Sequence, residues 1–336
     1  MLQIFQSIFG TGRDDTPYPD ELIARAIERA VDGTDPRLRA LSGYQKKLRA
    51  AAVHAIDHVV SLVDGLRAPL ELGGARFATD PELVAYFASV AQVQELLALD
   101  PELIRWRASA PDGDEHIVAL LLMERHERHV FGVALEGEIL RHDVAQTTVS
   151  FAGHRLVDPA AAQDETLRLL RRRAFDHLLS LALGRITAAH AEREELERDR
   201  YLLRRKQAAL AAGHWGFDAA AGKAPPDPQA LQQQLAEIES QLAALGAGPG
   251  LLKAHLDIVA DVLAQAEKNF WVAREPLVVD RLGVKQKEPG ATAPPIELAV
   301  LHNAAGASLV GRLIGIARAE LPPPRDLLRE AQRYLG

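Results

Sequence analysis

Residues 231–245 read LQQQLAEIESQLAAL, and their apolar positions Leu231, Leu235, Ile238, Leu242 and Leu245 recur at intervals of 4, 3, 4 and 3. That is the seam of a coiled coil, because apolar side chains returning every 3.5 residues hold one stripe of an underwound helix. After the glycines of 246–250, Leu252, Leu256, Val259, Leu263, Ala266 and Phe270 resume the alternation. Upstream, the stretch 163–212 is charge-rich, with Leu196, Leu203 and Leu210 seven apart and Glu194 four residues before Arg198, the favoured order for a helical ion pair. About fifty residues outward span roughly 75 Å as helix, and about 43 residues back span roughly 65 Å. The arms match. The pattern predicts an antiparallel coiled-coil hairpin over 160–270, with its tip in the Gly- and Pro-containing break 213–228.

On both flanks of the arm the texture turns to strand. An apolar run, 117–123, precedes the charged stretch 124–128; then come Val130, Phe131, Val133 and Leu135, the turn 136–138, and a further apolar-polar stretch to 151. This reads as a β-meander of three or four antiparallel strands over 115–157, with tight turns at 124–128 and 136–138. A helix is the competing reading of 115–124, since a short apolar run fits either element. Beyond the return arm, 271–284, 296–302 and 308–319 read as strands, with Asn303 and Gly306 marking a hairpin turn. The fold class is therefore α+β and mainly helical. A helical N-terminal region, 1–110, leads into an antiparallel β subdomain made of 115–157 and 271–320. The coiled-coil hairpin 160–270 interrupts that subdomain, and the prolines at 322–324 open a C-terminal helix over 322–336.

Five Asp-Pro pairs punctuate the chain, at 35–36, 80–81, 100–101, 158–159 and 227–228. An Asp side chain accepts an orphan N–H of the first helical turn, and Pro at the first position lacks the donor that would go unpaired. Helices are accordingly expected at 20–32, 36–64, 80–98 and 100–108, with Leu48, Ala52, Ile56, Val59 and Val63 forming the apolar stripe of the second.

The 336 residues suffice for about two domains. Hydrophobic residues make up 48% and aromatics only 5%, which suits Ala- and Leu-rich helices better than an aromatic-rich sandwich and excludes a disordered chain. Without cysteine there is no disulfide, thiol nucleophile or Cys-ligated metal. A net charge of −7 argues against a dedicated nucleic-acid binder. The N-terminal MLQIFQSIFG lacks a basic start and an unbroken apolar stretch, so it reads as a short amphipathic helix that docks on the protein, a membrane or a partner rather than as a signal peptide. No apolar run approaches the roughly 18 residues of a membrane helix, and the expected location is the cytoplasm.

No phosphate loop, dinucleotide fingerprint, nucleophile elbow or HExxH helix occurs. His54 and His58 stand four apart on one helix with Asp57 beside them, and two such imidazoles can share a metal. The spacing resembles the inverted zinc-protease motif, with Asp57 where that motif has its Glu and no third ligand in view. Solvated surface histidines are the simpler reading. Two basic clusters are candidates for a polyanion: Arg37, Arg39, Lys46, Lys47 and Arg49, then Arg168, Arg171, Arg172 and Arg173. Ion pairing with the 46 carboxylates of the chain is the simpler reading of each. At the tip, His214, Trp215 and Phe217 lie where the arm reverses, and large aromatics there either cap the seam or meet a partner.

These features favour a non-enzymatic interaction or scaffold protein whose arm presents Trp215 and Phe217 to a protein partner or to another copy, with no cofactor and no catalytic residues assigned. Polyanion binding by the clusters 37–49 and 168–173 is the alternative, nucleic acid included though not favoured. A metal-dependent hydrolase at His54, Asp57 and His58 is the third.

Overall fold

Seven consecutive apolar residues at 117–123 are too many for a strand with one wet face, and in the computed structural model they form the inner half of a strand covered on both sides. The structure describes residues 17–109, 116–136, 139–212, 227–245 and 249–323. It divides into two compact units, Met1–Asp57 with Leu178–Gln265 and His58–His177 with Ala266–Gly336. Helix exceeds strand, and the strands form one sheet that is antiparallel apart from one short strand: the class is α+β, mainly helical. No helix among the described residues is long and apolar enough to cross a membrane.

In the first unit, α1 (Asp20–Asp32) begins and ends where the sequence places it. Its acidic first turn complements the positive helix end, and Ile23, Ile27, Ala30 and Val31 are buried. The expected single helix 36–64 is two elements. Asp35 accepts the Arg37 N–H at 3.0 Å and starts only one 3-10 turn, Pro36–Ala40. Leu41 is then extended and Gly43 adopts φ +81°, a left-handed conformation that glycine takes without strain, so α2 (Tyr44–Asp64) starts afresh. Leu48, Ala51, Ala52, Ala55 and Ile56 of α2 are buried.

The long helix α7 (Gln163–Ala211) has 49 residues, and from 178 onward it buries Leu178, Leu179, Ala182 and Ile186. The helices that follow are α8 (Pro228–Ala244) and α9 (Pro249–Ala264). Asp227 caps α8 through the Gln229 N–H at 3.0 Å. Leu231, Leu235 and Leu242 are buried, while Ile238, Leu196, Leu203 and Leu210 are half-buried. Arg204 pairs with Glu239 at 2.6 Å and Arg185 with Asp261 at 3.2 Å.

The second unit holds the sheet: β1 (Leu70–Glu71), β2 (His116–Glu136), β3 (Ile139–Ala160), β4 (Phe270–Val278), β5 (Pro295–Asn303) and β6 (Ser308–Ala317). The order is β3-β2-β6-β5-β4, with β1 parallel to β6. Both segments that flank the long helices thus enter one sheet. The expected meander over 115–157 is instead a single hairpin of two very long strands, and 124–128 is not a turn but the middle of β2, opposite Ser150, Val149 and Thr148 of β3. The charged run was compatible with a strand because β2 leaves β6 after Met123, and 124–129 is largely exposed. Of the turn expected at 136–138, Glu136 ends β2 and residues 137–138 lie outside the described residues. Alternation sorts the inner half of β2: Ile117, Ala119, Leu121 and Met123 face a core with Leu83, Tyr86, Phe87, Val93, Leu97 and Leu103, whereas Val118 and Leu120 face Val63, Val157, Leu170 and Leu313.

Helices α3 (Gly74–Phe77), α4 (Pro81–Tyr86), α5 (Val90–Leu99) and α6 (Pro101–Ser109) cover the first of these faces. The expected helix 80–98 breaks at 87–89. Phe87 turns extended to stack on His154 at 4.6 Å, and Ser89 caps the new helix through the Gln92 N–H. Asp80 and Asp100 cap as the sequence predicts, Asp100 accepting from the Leu103 N–H at 2.8 Å. Asp158-Pro159 is the exception: it lies in β3, and α7 starts at Gln163. The Asp158 carboxylate is taken by Arg173, with both contacts at 2.8 Å, and its N–H by Glu102, so it has no helix end to cap. The last element, α10 (Ala266–Asn269), leads directly into β4.

Candidate functional site

The sites singled out from sequence fare differently. His214, Trp215 and Phe217 at the tip lie outside the described residues, as do the N-terminal stretch 1–10 and residues 324–336 of the expected C-terminal helix. The cluster 37–49 falls in the first unit and 168–173 in the second, apart from one another in the division of the chain. Most of these cations meet carboxylates: Arg37 with Asp35, Arg39 with Glu28 and Asp32, Lys47 with Asp257, Arg49 with Asp20, Arg168 with Glu165, Arg171 with Asp64, and Arg173 with Asp158 and Glu102. Lys46 and Arg172 are exposed. His54 and Asp57 are exposed, while His58 Nε2 donates to the Phe270 carbonyl at 2.7 Å and so has no lone pair for a metal on that nitrogen. Among the described residues no three His, Asp or Glu side chains come together as a metal site.

The site that the fold does build lies on the second face of the sheet. The end of α2 supplies Leu62 and Val63, Leu66 follows just beyond it, and the start of α7 supplies Leu170, Arg173, Ala174, Asp176 and His177. Between them and the strands is a pocket of about 480 Å³, lined on the sheet side by Leu120, Leu122, Val157, Phe270, Leu301 and Leu309. Glu102, Arg155, His302, Asn303, Ala307 and Ser308 complete its wall. The alternation of β2 places Leu120 and Leu122 here; Arg155 stands opposite Leu122 in register.

Asn303 fixes one polar corner. Its Oδ1 accepts the N–H groups of Ala305 and Ala307 at 3.1 and 3.0 Å, which closes the β5–β6 turn and orients the amide. Nδ2 is therefore the atom 3.2 Å from His177 Nε2, and that nitrogen must accept. Burial pushes the His177 pKa below the ordinary imidazole value, in keeping with a neutral ring that presents a lone pair to the amide. The Phe270 ring meets His177 edge-on at 4.9 Å. The His302 ring stacks on Trp271, with centres 5.4 Å apart.

The charges of the wall are unequal in their ties. Arg173 is held by Asp158 first and Glu102 second, and these partners raise its pKa. Arg155 is exposed and makes no ion pair among the described residues. The arrangement can surround an apolar body and meet one polar end of it.

A second buried cluster occupies the first unit. His255 is 1% exposed, its Nδ1 lies 2.8 Å from Asp35 Oδ2, and its Nε2 has no hydrogen-bond partner among the described residues. The His190 ring meets it edge-on at 4.8 Å. Arg37 grips the same carboxylate through Nε and Nη2, and holds the Asp35 carboxyl well below the usual range against the opposing effect of burial.

Sequence reasoning found neither cluster. Their members are far apart along the chain, from Leu62 to Leu309 in one case and from Asp35 to His255 in the other. One local signal existed: Gly311 inside the apolar strand LVGRLIGIA, where a glycine marks a close approach of neighbours. Comparison with known proteins adds no relative: no family model, no curated protein and no solved structure matches the chain.

Proposed function

We propose that the chain is a non-enzymatic interaction or scaffold protein, in which a coiled-coil arm over 160–270 engages a protein partner or another copy. The working division is a helical region 1–110, a β subdomain of 115–157 with 271–320, the arm, and a C-terminal segment 322–336. The observation that carries this reading is Tyr201 with Leu202, 60% and 47% exposed on α7 beside the half-buried Leu203. Large apolar groups in solvent on a helix are the kind of anchor that interfaces use. Arg205 lies 5.9 Å from the Tyr201 ring centre and adds a residue type enriched in binding hot spots. From Leu178 to Ala211, α7 runs for about 50 Å at roughly 1.5 Å per residue, and this part gives the arm its reach. Trp215 and Phe217, at the tip expected from the sequence, are proposed as further anchors, and the cytoplasm is the location proposed with the arm.

The test is affinity enrichment from nuclease-treated native lysate, comparing wild type with Tyr201→Ala/Leu202→Ala and with Trp215→Ala/Phe217→Ala. Light scattering on each purified protein reads self-association. A partner or an oligomer lost in either double variant supports the arm as the presenting device. Identical partners and identical mass in all three proteins refute it.

A further inference from the structure

The pocket of the second unit joins an apolar floor to a single cation that lacks a counter-charge. We propose that it binds a medium-chain aliphatic carboxylate, the chain lying on Leu120, Leu122, Leu301 and Leu309 and the carboxylate on Arg155. Three observations lead there, none of which the arm reading uses.

The first is the floor. A Cβ on Gly311 would come 2.5 Å from Leu301 Cδ1, 3.6 Å from Leu122 Cδ2 and 3.7 Å from Leu120 Cδ1. Gly311 therefore lies beneath three pocket leucines, and any side chain there would drive Leu301 into the open space. The second is size. A volume of about 480 Å³ falls within the range of small-molecule sites, about 300–1,000 Å³, and such sites are mostly apolar with a few placed polar groups.

The third observation is charge. Arg173 is already neutralised by Asp158 and Glu102, and His177 is held toward the neutral form by burial. Arg155 remains at the exposed rim with no ion pair among the described residues, and a guanidinium fork matches a carboxylate through two parallel hydrogen bonds. Glu102 and Asp176 on the same wall disfavour a phosphate dianion more than a monoanion. An alcohol of equal length would leave the guanidinium without a partner. The chemistry selects one negative charge on an alkyl chain.

The experiment is calorimetric titration of the full chain with sodium decanoate, with decyl phosphate and 1-decanol as the comparison ligands. Wild type should bind decanoate at one saturable site, more tightly than either comparison ligand. Arg155→Gln should weaken decanoate at least tenfold. Ala307→Trp, at an exposed turn position on the mouth, should weaken it at least fivefold by narrowing the entrance. Both residues are exposed, so unchanged thermal melting shows that each variant is folded. No saturable binding of decanoate to wild type overturns the proposal. So does an unchanged affinity in Arg155→Gln or Ala307→Trp, equal binding of 1-decanol, or tighter binding of decyl phosphate.

Discussion

Replacing Glu82 by alanine strips the counter-charge from a guanidinium that the fold has removed from water. The Arg312 and Glu82 side chains are 8% and 10% exposed, and Arg312 Nε donates to Glu82 Oε2 at 2.6 Å. Arg312 Nη1 donates to the carbonyls of Ala68 at 2.6 Å and Leu313 at 3.2 Å. The other carboxylate oxygen accepts from Arg67 Nη1 at 2.8 Å, but Arg67 is 44% exposed and can turn to water when its partner goes. Arg312 cannot. In Glu82→Ala it keeps two carbonyl acceptors and no negative charge, a situation that destabilises by about 3–5 kcal/mol. For a unit of about 190 residues each kcal/mol moves the midpoint by about 2–4 °C, so a fall of roughly 6–20 °C is expected. Replacing both partners, Glu82→Leu with Arg312→Met, removes the buried charge as well as its partner and should recover most of that loss. Urea unfolding followed by the fluorescence of Trp106 and Trp271, both in this unit, measures the three proteins. A Glu82→Ala variant within about 1 kcal/mol of wild type would show that the pair is solvated and the reasoning wrong; so would a double variant as unstable as the single one.

Three further outcomes are expected. Because the Asp35 carboxyl lies below its unfolded value of about 3.9, its stabilisation is complete above that pH and lost as pH falls below it. Asp35→Asn should cost about 1–3 kcal/mol at pH 7 and flatten the acid limb of a melting series; an unchanged limb counts against the assignment. Burial lowers the His154 pKa, so the unfolded chain takes up the proton first as pH drops through about 6.5, and stability falls toward pH 5. His154→Gln should reduce that slope, and parallel slopes would contradict it. Leu235→Asp places a carboxylate at a buried position of α8 and should destabilise by at least about 2–5 kcal/mol, with helix lost in circular dichroism. Ile238→Asp, half-buried in the same row, should have a smaller effect; equal and negligible effects would mean the row is no seam.

What the residues disclose in advance follows the range of the forces involved. Capping is local, so Asp80, Asp100 and Asp227 reveal their helices, and α1 carries its limits in its own acidic start and apolar stripe. Asp158 misleads because Arg173, fifteen residues on, outbids the local role. The run 124–128 misleads for another reason: polarity usually marks a turn, yet a strand whose charged side chains are largely exposed tolerates the same residues. Phe87 shows a helix broken by a distant histidine, which no local pattern announces. The pocket is the extreme case, since its walls come from both sides of a stretch of about one hundred residues and only Gly311 hints at it.

The pairing of β2 also imposes a timetable on synthesis. Its hairpin mate β3 follows at once, but the strand that covers its inner edge, β6, begins about 170 residues after Glu136. At roughly 5–20 residues per second the ribosome delivers that strand about 10–35 s later. Throughout this interval the apolar half, 117–123, has one edge satisfied and the other open, while the outer half carries Glu124, Arg125, Glu127 and Arg128. Those charges discourage two nascent chains from zipping together along the edge, and they act before the sheet exists. A chain with this run neutralised would be expected to reach the same fold when refolded dilute, and to fail where many copies are made at once.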